Sequence, residues 1–402
     1  MSFGFQFDDS EMDEEYLSSS SNPPIQASAP SASASAQASS STAAVIPFQS
    51  HSVQDMLQNL PSRMSYSSID VSLPSGTGEA RTRVQRLLRR DLFDARFQML
   101  LDEEEEDEQA ENGTQQSNGG QQQQQGRGHV DADSDLIPGV YEGGLKTWEC
   151  ALDLVEVLDA MHSTASSTSP SSWSDRLSGK HILELGCGTA LPTLFILDQL
   201  LQEPSRPNGI DLTLHLADYN AQVLQLVTLP NLILTWYASP ASAHFRSTTE
   251  ASHLVHERHE LERRGQDHFD LENELPITDE LVSAFAESLE SRGIHLRFYS
   301  GAWSTFPPPP ATHKMDLILT SETIYSLESL PALVGLMSSY AKPQGTGEAG
   351  LVLVAAKVIY FGVGGGVESF KQVLSQLQPA ATVEPLHSVT KGVGRTVLSV
   401  TF

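Results

Sequence analysis

Residues 181 to 202 read HILELGCGTALPTLFILDQLLQ. A short apolar run closes on Gly-Cys-Gly-Thr, and apolar residues then resume at helical spacing, which predicts a strand, a sharp turn and a helix. Glycines in such a turn let the backbone bend and let a ligand approach the chain. A Gly-x-Gly turn alone is shared by dinucleotide enzymes and plain tight turns. Two acids narrow the choice. Glu184 precedes the turn, where it would repel an anion, and Asp218 ends the next apolar run, DLTLHLADYN at 211 to 220, where a carboxylate can accept both hydroxyls of a ribose. A nucleoside with a cationic far end suits that pair better than a pyrophosphate does, and S-adenosylmethionine, with its sulfonium and ammonium, is such a molecule.

The same rhythm continues on both sides. ALDLVEVLDAM (151 to 161) has helical periodicity, and NAQVLQLVTLPNLIL reads as a helix broken near Pro230. HLRFYSGAW (295 to 303), DLILTSE (316 to 322) and LVLVAAK (351 to 357) read as strands, and the terminal TVLSVTF alternates well enough to close a sheet. Strands alternating with helices predict an α/β fold: a mostly parallel sheet with helices on both faces and ligands at the carboxyl ends of its strands. Residues 238 to 294 interrupt the rhythm with a polar stretch holding His244, His253, His256, His259 and His268. Its histidine spacing matches no usual zinc pattern, so it is expected to be an exposed insertion without a metal.

The 402-residue chain carries a formal charge of -27. Residues 1 to 135 hold 22 Asp and Glu against 8 Arg and no Lys, a net of -14. Ser-, Ala- and Gln-rich stretches there bury too little apolar surface to offset the entropy of ordering. Residues 1 to 134 are therefore expected to be a mostly disordered acidic tail, and 135 to 402 the folded domain. Removal of residues 1 to 130 should then leave the core intact. Within the tail, RTRVQRLLRRDLFDARFQM (81 to 99) places Val84, Leu88, Leu92, Ala95 and Met99 at helical spacing and predicts an amphipathic helix with six arginines. The acidity argues against direct nucleic-acid binding and suits a basic partner. Two cysteines, no apolar run of about 20 residues and no secretory start fit a reducing intracellular compartment without membrane contact.

VYEGGLKTWEC (140 to 150), ILELGCGTALP, DYNAQVLQLVTLPN, LILTSETIY and AAKVIYFGVGG follow one another over about residues 140 to 366. In this order they resemble the eukaryotic protein-histidine methyltransferases, a branch of the Rossmann-like seven-stranded class I methyltransferases. The resemblance implies an S-adenosylmethionine-dependent enzyme, monomeric, cytoplasmic and nuclear, that methylates a histidine of a basic large-subunit ribosomal protein. It implies that the segment before the first helix folds over the cofactor, with Trp148 against the methionine end, where an aromatic face attracts a sulfonium. Lys146 and Thr147 line the same rim. Glu184, Gly186, Cys187, Gly188, Asp218, Asn220, Trp303 and Ser321 complete the implied cofactor set, and Glu322 and Tyr325 of SETIY stand at the substrate. The chain departs from the family pattern at Ala190, where glycine is usual, and at Ala302, where an acid is common. Ala190 fits the turn if its φ is negative.

A target histidine, with an ordinary pKa near 6.5, is already mostly neutral at pH 7, whereas a lysine costs roughly 4 to 5 kcal/mol to deprotonate there. Such an enzyme needs control of the imidazole tautomer more than a strong base. Two other readings stand beside this one. The Glu-Thr-Ile-Tyr motif alone permits a lysine methyltransferase, and the acidic tail permits a non-catalytic chaperone for a basic ribosomal protein.

Overall fold

The computed structural model describes residues 45–75, 81–99, 143–164, 172–250, 273–309, 314–341, 349–360, 362 and 364–402. The chain divides into two units, Met1–Thr42 and Ala43–Phe402, and all described residues lie in the second.

Eleven strands occur among the described residues: β1 (Gln49–His51), β2 (Arg63–Ser75), β3 (Arg81–Arg90), β4 (His181–Leu185), β5 (Leu212–Asp218), β6 (Glu274–Pro276), β7 (Ile294–Ser300), β8 (Leu317–Ser321), β9 (Leu351–Lys357), β10 (Thr382–Val389) and β11 (Arg395–Thr401). Eight form the central sheet in the order β1-β7-β5-β4-β8-β9-β11-β10. Strands β7, β5, β4, β8 and β9 run parallel, while β11 is inserted antiparallel between β9 and β10. Without β1 this is the seven-stranded order of the class I methyltransferases. The terminal run TVLSVTF thus lies inside the sheet, and β10, which carries no strong apolar pattern, forms the edge.

Every residue of β5 is buried, because helices cover both faces of the parallel strands. The side chains of β4 split accordingly. Ile182 joins a core with the helices Glu149–Thr164, Leu191–Gln202 and Leu229–Ala238. Leu183 and Leu185 join a second core with Leu330–Ala341 and Val367–Leu377. Chain order reverses on either side of β4, so the loops after β4, β5 and β8 open into one crevice at the carboxyl edge.

The amino-terminal third differs from the expected tail. β1 pairs antiparallel with β7, and His51 Nε2 meets Ser300 Oγ at 2.8 Å. β2 and β3 form a hairpin that pairs through β2 with β6 and buries Met64, Val71, Leu73 and Leu87 in the first core. The folded unit therefore begins well before residue 135. The predicted helix over 81–99 is a strand to Arg90 followed by a helix at 92–99. Arg83 and Gln85 share a face of β3 with Leu87 and reach Asp159 at 2.6 Å and Asp198 at 2.9 Å. With two of three inward positions polar, the period-2 signal is hidden. Val84, the supposed start of the helical stripe, is 56% exposed. The stripe is real from residue 92 onward, where Ala95 and Met99 pack with Leu145, Val223, Leu226 and Val227. The parts of the tail at 1–44 and 100–134 lie outside the described residues.

Two further expectations need correction. Residues 221–238 form an unbroken helical run with a π turn at Leu224–Thr228 just before Pro230, which accommodates a residue that has no N–H to donate. The stretch 238–294 is not wholly exposed. It contributes β6 and the helix Asp279–Arg292, capped by Thr278, whose Leu281, Phe285 and Leu289 are buried. His253, His256, His259 and His268 lie outside the described residues.

Candidate active site

The turn after β4 has three left-handed residues, Gly186 (φ 63°), Gly188 (φ 48°) and Ala190 (φ 58°). A Cβ on Gly186 would sit 2.4 Å from Thr323 Cγ2 and 4.0 Å from Trp303, and one on Gly188 would meet the Gly144 carbonyl at 3.1 Å. The turn is thus pressed between the loop after β8 and the segment at 143–148. Ala190 has the positive φ that its fit to the turn was expected to avoid, so it carries the strain of a Cβ in that region.

Asp218, at the end of β5 and 5% exposed, holds this turn. Its Oδ2 accepts the Gly188 N–H at 2.9 Å and its Oδ1 accepts the Asn220 N–H at 3.1 Å. The Asn220 side-chain amide in turn donates to the Gly143 carbonyl at 3.1 Å, and the Thr147 hydroxyl donates to Thr189 at 3.0 Å. Gly143 and Gly144, both at positive φ, let the segment cross the turn at this distance. Four implied cofactor residues, Thr147, Gly188, Asp218 and Asn220, therefore belong to one hydrogen-bonded bracket.

Two implied cofactor residues face elsewhere. Glu184 is 2% exposed, and its Oε2 accepts both the backbone N–H of Thr193, at 3.1 Å, and the Thr193 hydroxyl. Burial pushes its carboxyl up to about 8, with Asp218 adding to the shift and Thr193 opposing it. Glu184 thus braces the start of the following helix. The Cys187 side chain points at Thr228 Oγ1, 3.7 Å away in the core; only its backbone belongs to the turn.

Trp148 is 37% exposed. Its ring is faced by the Lys146 ammonium at 5.7 Å and the Lys357 ammonium at 5.1 Å. Lys146, Lys357 and Trp148 thus stand together on the rim. Trp303 lies beside Gly186 and packs on Phe306, which meets Phe48 at 4.9 Å. Ala302 donates its N–H to the Ile46 carbonyl at 3.1 Å, and a Cβ on Gly301 would sit 2.5 Å from the Pro47 carbonyl. Residues 45–48 thus wall this side of the crevice, which sequence reasoning missed because nothing local marks them.

The loop after β8 supplies the chemistry. Glu322 has φ 58° and donates its N–H to the Ala355 carbonyl at 2.9 Å. Ser321 Oγ and Glu322 Oε1 are both buried without a hydrogen-bond partner. A buried polar atom left unmatched is costly, and two adjacent ones at the carboxyl edge mark a place built for a polar ligand. Tyr360 and Cys150 adjoin the pair. Burial pushes the Tyr360 phenol and the Cys150 thiol well up, and the Glu322 carboxylate raises both further. Tyr325 stands 6.3 Å from Tyr360, ring to ring. Cys150 lies in the first core, and Tyr360 could have been found from AAKVIYFGVGG. Among the described residues no cluster of His, Cys, Asp and Glu could hold a metal.

No profile of a known protein family matches the chain. Individual relatives do. Histidine protein methyltransferase 1 of Saccharomyces cerevisiae is 29% identical over 419 aligned positions, covering 100% of this chain and 98% of its own. The protein of that name from Schizosaccharomyces pombe is 28% identical, covering 88% of this chain and 85% of its own, and a homolog from Bos taurus is 32% identical, covering 67% and 58%. The chain belongs to the histidine protein methyltransferase family. Among solved structures, a SAM-dependent methyltransferase from Aquifex aeolicus covers 63% of this chain and 94% of its own at 11% identity with a TM-score of 0.30, a likeness that adds nothing to the strand order.

As a histidine protein methyltransferase family member the chain is an enzyme that uses S-adenosylmethionine, and its residues fit that molecule. Asp218 and Trp303 stand beside the glycine turn, and the Ser321 and Glu322 oxygens adjoin it through Thr323.

Proposed function

We propose that the chain transfers a methyl group to a ring nitrogen of a protein histidine, and that the acceptor is a basic protein of the large ribosomal subunit. The observation that carries this reading is the buried, unpartnered Glu322 Oε1 beside an unpartnered Ser321 hydroxyl. An imidazole has one N–H and one lone pair when neutral. A carboxylate oxygen fixed by the strained backbone at Glu322 accepts that N–H, selects the tautomer and leaves the other nitrogen as nucleophile. S-adenosylmethionine supplies an electrophilic methyl group when bound. Glu322 and Ser321 orient the acceptor, the segment 143–148 closes over the turn, and in-line positioning accounts for much of the acceleration. Glu322 needs to remove no proton before attack, since the attacking nitrogen is already unprotonated near pH 7.

A lysine acceptor demands deprotonation, and the two neighbours of Glu322, Tyr360 and Cys150, are held in their protonated forms by burial and by the Glu322 carboxylate, so neither is a free base for that proton. The lysine reading and the non-catalytic chaperone are not favoured, since the relatives that the chain matches are histidine protein methyltransferases. Acidity of the whole chain, -27, supports capture of a basic ribosomal protein rather than of nucleic acid or membrane, by a monomer in the cytosol and nucleus. The test is Glu322→Gln. Its amide keeps the shape and one acceptor but loses the charge, so cofactor affinity should hold while single-turnover transfer falls about a hundredfold. Unchanged transfer would remove Glu322 from the acceptor site.

A further inference from the structure

Large apolar side chains exposed singly are ordinary on protein surfaces, but grouped ones mark contact sites. Leu327, Val358 and Ile359 are 52%, 43% and 55% exposed, and the fold brings them to one edge. Leu327 belongs to the loop after β8, the loop of Glu322, whereas Val358 and Ile359 follow β9. The glycine run 364–366 joins the two loops. Gly364 bridges Ser326, and Gly366 bridges Ile359. A Cβ on Gly365 would sit 2.1 Å from the Tyr325 carbonyl, one on Gly366 2.6 Å from the Val358 carbonyl, and one on Gly364 3.4 Å from Leu327 Cδ1. The run is therefore clamped between the loops by contacts that only glycine allows, and the three aliphatic residues sit on a rim whose spacing is fixed before any partner arrives. Trp148 extends it, since the Lys357 ammonium, one residue before Val358, lies over its ring.

Behind this rim lie the unmatched Ser321 and Glu322 oxygens. We propose that Leu327, Val358 and Ile359 dock apolar side chains flanking the methyl-accepting residue of the protein substrate. This rests on the reading that a protein side chain is methylated at Glu322. The occupant follows from place and charge. Whatever polypeptide delivers a side chain to Glu322 must cross the rim, and the tethered Lys146 and Lys357 ammoniums disfavour a basic residue there. An acidic enzyme thus attracts a basic protein at long range and selects at close range a segment whose immediate neighbours are aliphatic or aromatic.

The experiment uses the full chain. Large-subunit ribosomal proteins that lack the modification are incubated with S-adenosylmethionine carrying a deuterated methyl group, and the labelled residue is located by fragmentation mass spectrometry. A synthetic peptide centred on that residue, and one with its apolar neighbours replaced by serine, are then assayed with wild type, Leu327→Glu, Ile359→Glu and the milder Ile359→Thr. The expected result is a KM for the first peptide raised about tenfold or more in the Glu variants, with kcat and cofactor affinity kept. The serine peptide should be poor with wild type and no worse with the variants. Thermal melting identifies any variant that has lost its fold, in which case Ile359→Thr, with a smaller rise, carries the comparison. An unchanged KM, or a labelled residue with no apolar neighbour within three positions, overturns the docking rim. So does a dimer in solution that Ile359→Glu abolishes, because the rim would then serve self-association. Label on a residue other than histidine with the rim effect intact defeats the functional reading alone, and no label with wild type defeats both.

Discussion

The Asp218 carboxylate accepts the backbone N–H of Gly188 at 2.9 Å across 30 residues of sequence. This bond ties the end of β5 to the turn after β4 and makes the turn's shape depend on a charge rather than on glycine alone. Replacing Asp218 by Ala leaves the Gly188 and Asn220 N–H groups without their acceptor and removes the carboxylate expected to hold the ribose. Hydrogen bonds to a charged group are worth about 1.5 to 3 kcal/mol each, so S-adenosylmethionine affinity should fall tenfold or more by calorimetry. Wild-type affinity in a folded variant would place the ribose elsewhere.

Ala190 has φ 58°, where a Cβ costs roughly 1 to 2 kcal/mol and where glycine is unstrained. Glycine also gains unfolded-state entropy worth about 0.5 to 1 kcal/mol. Ala190→Gly should therefore stabilise the chain by up to about 1 kcal/mol, read as a higher Tm or urea midpoint. A lower midpoint would mean that the buried methyl contributes more than the strain costs.

Burial raises the Glu184 carboxyl to about 8 from an ordinary 4.5. Between those values the folded chain keeps a proton that the unfolded chain has released, so this group lowers stability steadily as pH rises through the window and no further above it. Glu184→Gln, neutral at every pH, lacks this slope. The melting temperature of the variant minus that of wild type should climb from pH 5 to pH 8 and then level. A difference that stays constant would show that Glu184 titrates alike in both states.

Truncation separates the two parts of the amino-terminal region. Deleting residues 1–44, which precede β1, should leave the melting temperature near wild type. Deleting 1–99 removes β1, the hairpin and the buried Arg90, whose guanidinium reaches Asp94 at 2.6 Å, Gln98 at 2.8 Å and the Leu226 carbonyl at 2.9 Å. That chain should be insoluble or melt far lower. Equal melting of the two truncated chains would contradict the role of the hairpin.

Sequence was most informative where local chemistry and fold agree. The turn at 186–190, the strand ends at Glu184 and Asp218 and the SETIY loop could all be read from apolar runs that stop at glycine or an acid. β3 could not, because its inward Arg83 and Gln85 are satisfied by Asp159 and Asp198, partners 76 and 113 residues away. Direction was also hidden: Glu184 and Cys187 sit in the motif but turn their side chains to Thr193 and Thr228. Nor does any local signal place Lys357 over the Trp148 ring.

The central claim, that the acceptor held by Glu322 is an imidazole, is tested most directly by the product. The purified chain is incubated with deuterated-methyl S-adenosylmethionine and large-subunit ribosomal protein over pH 6 to 10, and the labelled amino acid is identified after complete hydrolysis. The predicted result is methyl-histidine, with a single-turnover rate that rises through the imidazole pKa near 6.5 and is flat by about pH 8. Methyl-lysine as the only labelled product, with a rate still rising toward pH 10, would contradict the account.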